Sequence, residues 1–237
     1  IGCGASYQEA RAVLFGAPFD STTSFRPGTR FGPAAMRAES FGIETYSPYQ
    51  ERDLEDYRVF DAGDLDLPFG NAAGALSAIE ETAAEVLAAD KIPVLLGGEH
   101  LVTLGAVRAA AKRYPGLRLI HFDAHADLRA DYMGEALSHA SVIRRCHDIL
   151  GDGRIYQFGI RSGSREEMRW SDTHTRMEKF RADTIGEAVK EIGDAPLYIT
   201  LDLDVVDPAE FPGTGTPEAG GLRFTELLAA LLSLRGL

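Results

Sequence analysis

Short apolar runs alternate with Ala- and Leu-rich segments along the whole chain, and this alternation constrains the fold more than any other feature. Six runs, at 11–16, 58–62, 93–97, 117–122, 154–159 and 197–201, carry Val, Ile, Leu and aromatics between Gly, Pro or Asp. Such runs read as buried strands. Five segments, at 73–89, 103–114, 138–149, 184–191 and 225–234, repeat apolar residues at three- and four-residue spacing and read as helices. Asp183 or Thr184, followed by Glu187, resembles a helix-capping start. Strand–helix alternation of this kind predicts a mostly parallel sheet with helices on both faces, the α/β class. No Pro/Gly/Ser-rich linker interrupts residues 1–237, so a single domain is expected.

Composition narrows what such a domain does. A chain of 237 residues buries about 70–75% of its unfolded surface and needs no disulfide framework. The longest apolar runs, such as 92–96, fall far short of the roughly 18 residues that a membrane span requires. The net charge of −12 suits neither nucleic acid nor an anionic membrane surface. Acid gathered in one place would instead attract metals, amines or guanidinium groups. Cys3 and Cys146 lack zinc or CxxC spacing and read as small buried thiols in a reducing compartment. No basic–apolar–small segment opens the chain, and a cytoplasmic location is expected. The first residue is Ile1 rather than Met, so further N-terminal residues are expected to precede it.

In parallel α/β sheets, ligands bind beyond the carboxyl ends of the strands. Three of those ends deliver every Asp/His cluster of the chain. They are Gly97-Gly98-Glu99-His100, Asp123-Ala124-His125-Ala126-Asp127 and Asp202-Leu203-Asp204-Val205-Val206-Asp207-Pro208. Asp123, His125 and Asp127 alternate, so in an extended segment they point to one side, as do Asp202 and Asp204. With His100, the set is four carboxylates and two imidazoles. Donors of this kind, without thiolate, suit Mn²⁺, with Zn²⁺, Ni²⁺ or Fe²⁺ also compatible. Four carboxylates repel unless about four positive charges offset them, which two divalent ions do. One carboxylate from each cluster can bridge ions roughly 3.5–4 Å apart, and a water between them loses its proton near neutral pH.

These three clusters resemble the signature regions of the ureohydrolases, the family of arginase, agmatinase and related guanidino hydrolases. The resemblance extends through Pro212-Gly213-Thr214-Gly215-Thr216-Pro217, Gly220-Gly221-Leu222 and Arg26-Pro27-Gly28-Thr29-Arg30-Phe31-Gly32-Pro33, and is closest to the agmatinase branch. It implies a three-layer α/β/α sandwich around an eight-stranded, mainly parallel sheet. It also implies two Mn²⁺ per chain. By motif position, His100, Asp123, Asp127 and Asp202 would hold one ion. Asp123, His125, Asp202 and Asp204 would hold the other, with Asp123 and Asp202 shared. Asp207 falls outside that set and reads as a supporting or turn-forming residue.

Release of urea from a guanidinium needs a nucleophile, stabilisation of the tetrahedral intermediate and a proton for the departing amine. The hydroxide between the metals would supply the first. His139, opening the helix expected at 138–149, resembles the family's active-site loop histidine and is the candidate for the proton or for substrate contact. His121 reads as structural, inside its strand, and His147 and His174 carry no signal.

The loop Leu128-Arg129-Ala130-Asp131-Tyr132-Met133-Gly134-Glu135 lacks the Asn and Ser donors with which arginine-specific members hold a carboxylate. An acidic mouth with Asp131 or Glu135 fits a substrate carrying only positive groups. Agmatine, hydrolysed to putrescine and urea, meets that requirement. Guanidinobutyrate, guanidinopropionate and arginine remain alternative substrates. A non-catalytic metal- or ligand-binding paralogue is the alternative from another class. A homo-oligomer, trimeric or hexameric, is implied by the resemblance.

The sequence departs from the family in two places. It stops at Leu237, before the family's last strand and its guanidinium-binding Glu, so a truncated sequence is expected and no such Glu is assigned. The segment 170–181 shows no clear strand.

Overall fold

The computed structural model describes residues 2–235, which divide into two compact units. One comprises residues up to 21 together with Pro27–Ala109; the other comprises Thr22–Arg26 and the residues from 110 onward.

The first unit contains β1 (Ala12–Ala17), α1 (Gly32–Glu39), β2 (Tyr46–Ser47), β3 (Arg52–Asp53), β4 (Val59–Asp64), α2 (Ala72–Ala88) and β5 (Ile92–Gly97). The chain then enters α3 (Thr103–Arg113). β1 lies between β4 and β5, parallel to both, so its Val13, Phe15 and Ala17 are buried. β2 and β3 form a separate antiparallel ladder of two residues each. α2 starts where the Asn71 side chain accepts the Gly74 N–H at 2.9 Å, an N-cap contact. Its buried Ala75, Leu76, Ile79, Ala83, Val86 and Leu87 recur at helical spacing and form one apolar face.

The second unit contains β6 (Arg118–Phe122), α4 (Val142–Leu150), β7 (Ile155–Ile160), α5 (Arg165–His174), β8 (Arg176–Lys179), α6 (Ile185–Ile192), β9 (Leu197–Leu201) and α7 (Phe224–Leu232). Its sheet runs β8-β7-β6-β9, all parallel. β6 and β7 are interior, and the six residues of β7 are all buried. Ile120, Phe122, Tyr156 and Phe158 join Ile185, Ala188, Ile192, Leu227 and Ala230 of α6 and α7 in one apolar cluster. Strand alternation turns Leu119, His121, Ile155 and Gln157 to the opposite face. Gly159 sits at φ 84°, and a Cβ there would stand 2.5 Å from Val205 Cγ2, so glycine is required at the irregularity in the β7–β8 pairing.

The α/β class with parallel sheets matches the sequence reading. Among the described residues the parallel strands number three in one unit and four in the other, fewer than the eight expected of a single sheet. β9 is an edge strand, with Ile199 and Leu201 exposed. The segment 170–181 holds more order than expected. α5 runs through it to His174, and β8 follows as an edge strand on β7. Their sequences are largely charged and half-exposed, which hid the apolar period. Cys146 is buried in α4, whereas Cys3 is only half-buried; both are free thiols. No helix among the described residues is long and apolar enough to cross a membrane.

Candidate metal centre

The carboxyl end of β6 delivers the richest part of the site. The backbone leaves the strand at Phe122, and Asp123 N–H donates to the Phe158 carbonyl of β7 at 3.2 Å, holding the segment against the sheet. Asp127 then takes φ 53°, a left-handed conformation uncommon outside glycine. Its carbonyl accepts the N–H groups of Ile143 and Arg144, both at 3.1 Å, so the turn is fastened to the start of α4.

Asp123, His125 and Asp204 come together, with one donor atom from each lying within 4.8 Å of the others. His125 Nδ1 lies 3.3 Å from Asp123 Oδ1 and 3.1 Å from Asp204 Oδ2. Asp123, Asp127 and His121 meet the same criterion. Asp202 follows β9 and caps the turn Leu203–Val205, accepting the Asp204 N–H at 3.0 Å. His100 is in the first unit, opening the 3-10 turn His100–Val102 beyond β5. The glycines before it have a local reason. A Cβ on Gly98 would stand 2.1 Å from the Phe19 carbonyl oxygen, so only glycine lets the backbones approach.

The electrostatics of the cluster favour bound cations. Burial, then repulsion from Asp123, push the Asp204 carboxyl up to about 6. Burial works against a charged His125, but hydrogen bonds and attraction to Asp123 and Asp204 prevail and hold its imidazole up to about 12. Buried carboxylates that draw positive charge this strongly, with imidazole beside them and no thiolate, fit divalent metal ions.

His139 opens the 3-10 turn His139–Ser141 ahead of α4. Its backbone N–H donates to Thr22 Oγ1 at 3.0 Å, and its ring nitrogens lie 3.3 Å from Thr22 Oγ1 and Ser24 Oγ. The Tyr132 ring meets it edge-on at 5.6 Å. Asp207 has the turn-forming role, accepting the N–H groups of Ala209, Gly220 and Gly221. Asp131 and Glu135 are exposed on the loop before His139.

Four supporting residues escaped the sequence reading. Gln157 joins His121 to the Ala126 carbonyl. Buried Glu167 accepts the Leu128 N–H at 3.1 Å and fixes the loop after Asp127. Arg161 donates to the carbonyls of Asp204 at 2.6 Å, Glu218 at 2.8 Å and Val205 at 3.1 Å. Glu218 brings a carboxylate oxygen 3.7 Å from His125 Nε2 and accepts from Ser162 Oγ at 3.0 Å. The available signal was position: Arg161 and Ser162 follow β7 at a fourth strand end.

Residues 10–237 match the family described as the Arginase family. The chain belongs to the arginase family. The agmatinase of Bacillus cereus is 48% identical over 231 residues, which cover 97% of this chain and 80% of that protein. A crystal structure from Clostridium difficile, 44% identical, superposes with a TM-score of 0.95 over 98% of this chain and 84% of that one. The agmatine ureohydrolase of Thermoplasma volcanium, 36% identical, superposes with a TM-score of 0.89 over 98% and 80% of the two chains. Arginase-family enzymes are binuclear metal enzymes, and the clustered His and Asp donors of this ureohydrolase are suited to that role.

Proposed function

We propose that this ureohydrolase hydrolyses agmatine to putrescine and urea with two manganese ions per chain. The grouping of Asp123, His125 and Asp204 in one buried, cation-seeking cluster carries the proposal. Similarity to the agmatinase of Bacillus cereus supports the substrate. His100, Asp123, Asp127 and Asp202 are the proposed ligands of one ion; Asp123, His125, Asp202 and Asp204 are those of the other. When bound, the metal pair supplies a nucleophilic hydroxide at neutral pH and Lewis-acid stabilisation of the developing charge.

The protein's own groups do the rest. His139, oriented by Thr22 and Ser24, contacts the substrate and moves a proton to the departing amine. Glu218 stands beside His125, where its carboxylate attracts a guanidinium or ammonium group. Exposed Asp131 and Glu135 add negative charge on the loop that leads to His139. Agmatine has a cation at each end and no carboxylate, which distinguishes it from arginine and guanidinobutyrate.

The setting we propose is a cytoplasmic homo-oligomer, trimeric or hexameric, that engages neither nucleic acid nor membrane. Exposed Phe41, Ile43, Tyr46 and Tyr49 in the first unit supply apolar surface for subunit contact. Urea release from agmatine, arginine, guanidinobutyrate and guanidinopropionate, compared at equal concentration, tests the substrate. The expected result is the highest kcat/KM on agmatine; a preference for a carboxylate-bearing substrate would replace that assignment.

A further inference from the structure

We propose that His147, Asp152 and His174 form a separate surface site for a zinc-class divalent ion. Asp152 Oδ1 lies 2.7 Å from His147 Nε2 and 2.6 Å from His174 Nδ1. One donor atom from each residue lies within 4.8 Å of the other two, which is coordination reach after small side-chain shifts. Two imidazole nitrogens and one carboxylate oxygen, with open positions for water, suit Zn²⁺ or Ni²⁺ rather than the oxygen-seeking Ca²⁺ and Mg²⁺.

The surrounding structure holds these groups in place. His147 is in the last turn of α4, and His174 is the last residue of α5. Both helix ends therefore turn their negative dipole toward the same exposed carboxylate. Asp152 occupies the turn between α4 and β7. Gly151 N–H donates to the His147 carbonyl at 2.8 Å and Gly153 N–H to that of His174 at 3.1 Å, tying the turn to both helices. Trp170 fixes the rings, stacking on His174 with centroids 4.1 Å apart and meeting His147 edge-on at 4.6 Å. Arg144, a nearby positive group, has its guanidinium over the Trp170 ring at 4.1 Å.

The site is distinct from the proposed catalytic centre. Asp152 precedes β7, at the end where the parallel strands begin, whereas Asp123, His125 and Asp204 follow the carboxyl ends of β6 and β9. The length of β7, roughly 20 Å at about 3.3 Å per residue, separates the two ends. An ion here would clip α4, the turn and α5 together and raise thermal stability through preferential binding to the folded state.

The test is zinc titration of the manganese-loaded protein, with both metals counted afterwards. Wild type is expected to take up one zinc ion without losing manganese, and its melting temperature should rise. Asp152→Asn, which leaves the ring contacts in place, should bind that zinc at least tenfold more weakly. His147→Ala/His174→Ala should lose it, with manganese content and urea production unchanged in both variants. Equal zinc uptake by wild type and Asp152→Asn would overturn the site, as would zinc entering wild type only by displacing manganese. The reading out of zinc is independent of substrate, so failure of the agmatine assignment would appear separately, as absent urea from a protein that still binds the extra ion.

Discussion

Gln157 determines which nitrogen of His121 carries the proton. Its amide Nε2 lies 3.0 Å from His121 Nδ1 and donates to the Ala126 carbonyl at 2.9 Å, while its Oε1 accepts from the Thr175 hydroxyl at 3.0 Å. With the amide so oriented, His121 Nδ1 accepts and Nε2–H donates to Asp123 Oδ2 at 2.8 Å. A chain of four buried or half-buried side chains thus aims one carboxylate that we assign to both metals. Gln157→Leu removes the tautomer control and leaves buried groups unpaired. Metal affinity should fall by about 10–100-fold, as is usual when a group orienting a ligand is lost. Isothermal titration with Mn²⁺ checks this; unchanged affinity would reduce Gln157 to a packing role.

His139 offers a cleaner separation of chemistry from metal binding. Its backbone and ring are held by Thr22 and Ser24. His139→Ala is expected to retain both manganese ions and to lose about 10²–10⁴-fold in kcat, the worth of a positioned acid–base group. Metal counting alongside steady-state kinetics decides. An unchanged kcat would leave His139 a structural role, through contacts such as those with Thr22, Ser24 and Tyr132.

Acid should weaken the first unit through Asp61. Hydrogen bonds from Arg37, at 2.7 and 2.9 Å, hold the Asp61 carboxyl below the usual carboxylate range, against the opposing effect of burial. Because the folded value is depressed, the stabilisation is present above the unfolded value of about 3.9 and is lost as pH falls through the folded one. Arg37→Met should cost about 1–2 kcal/mol at neutral pH, a modest figure for a partly exposed pair. Denaturation at several pH values should show the gap to wild type closing below about pH 4. A gap constant from neutral to acid would contradict the linkage.

The six strands and five helices read from the sequence all appear, most with bounds shifted by only one or two residues, because buried parallel strands are continuous apolar runs. α5 and β8 were missed because an edge strand such as Arg176–Lys179 needs little apolar surface, and Arg165–His174 buries only Glu167 and Ser171. The proposed ligands were legible because Asp123, His125 and Asp127 are neighbours in sequence. Gln157, Arg161 and Glu218 were not, since each acts on a residue 36 to 93 positions away through parallel pairing or a returning loop. His147 and His174 gave no signal because only the packing of two helix ends against one turn brings both rings to Asp152.

The central claim is manganese-dependent hydrolysis of agmatine at the Asp123 cluster. Its most direct test is simultaneous measurement of urea, putrescine and bound metal for wild type and Asp123→Ala, each stripped with chelator and then supplied with Mn²⁺. Wild type should regain two ions per chain and form urea and putrescine in equal amounts, while Asp123→Ala holds fewer ions and forms neither. Full activity in the stripped wild type, or two retained ions and normal turnover in Asp123→Ala, would contradict it.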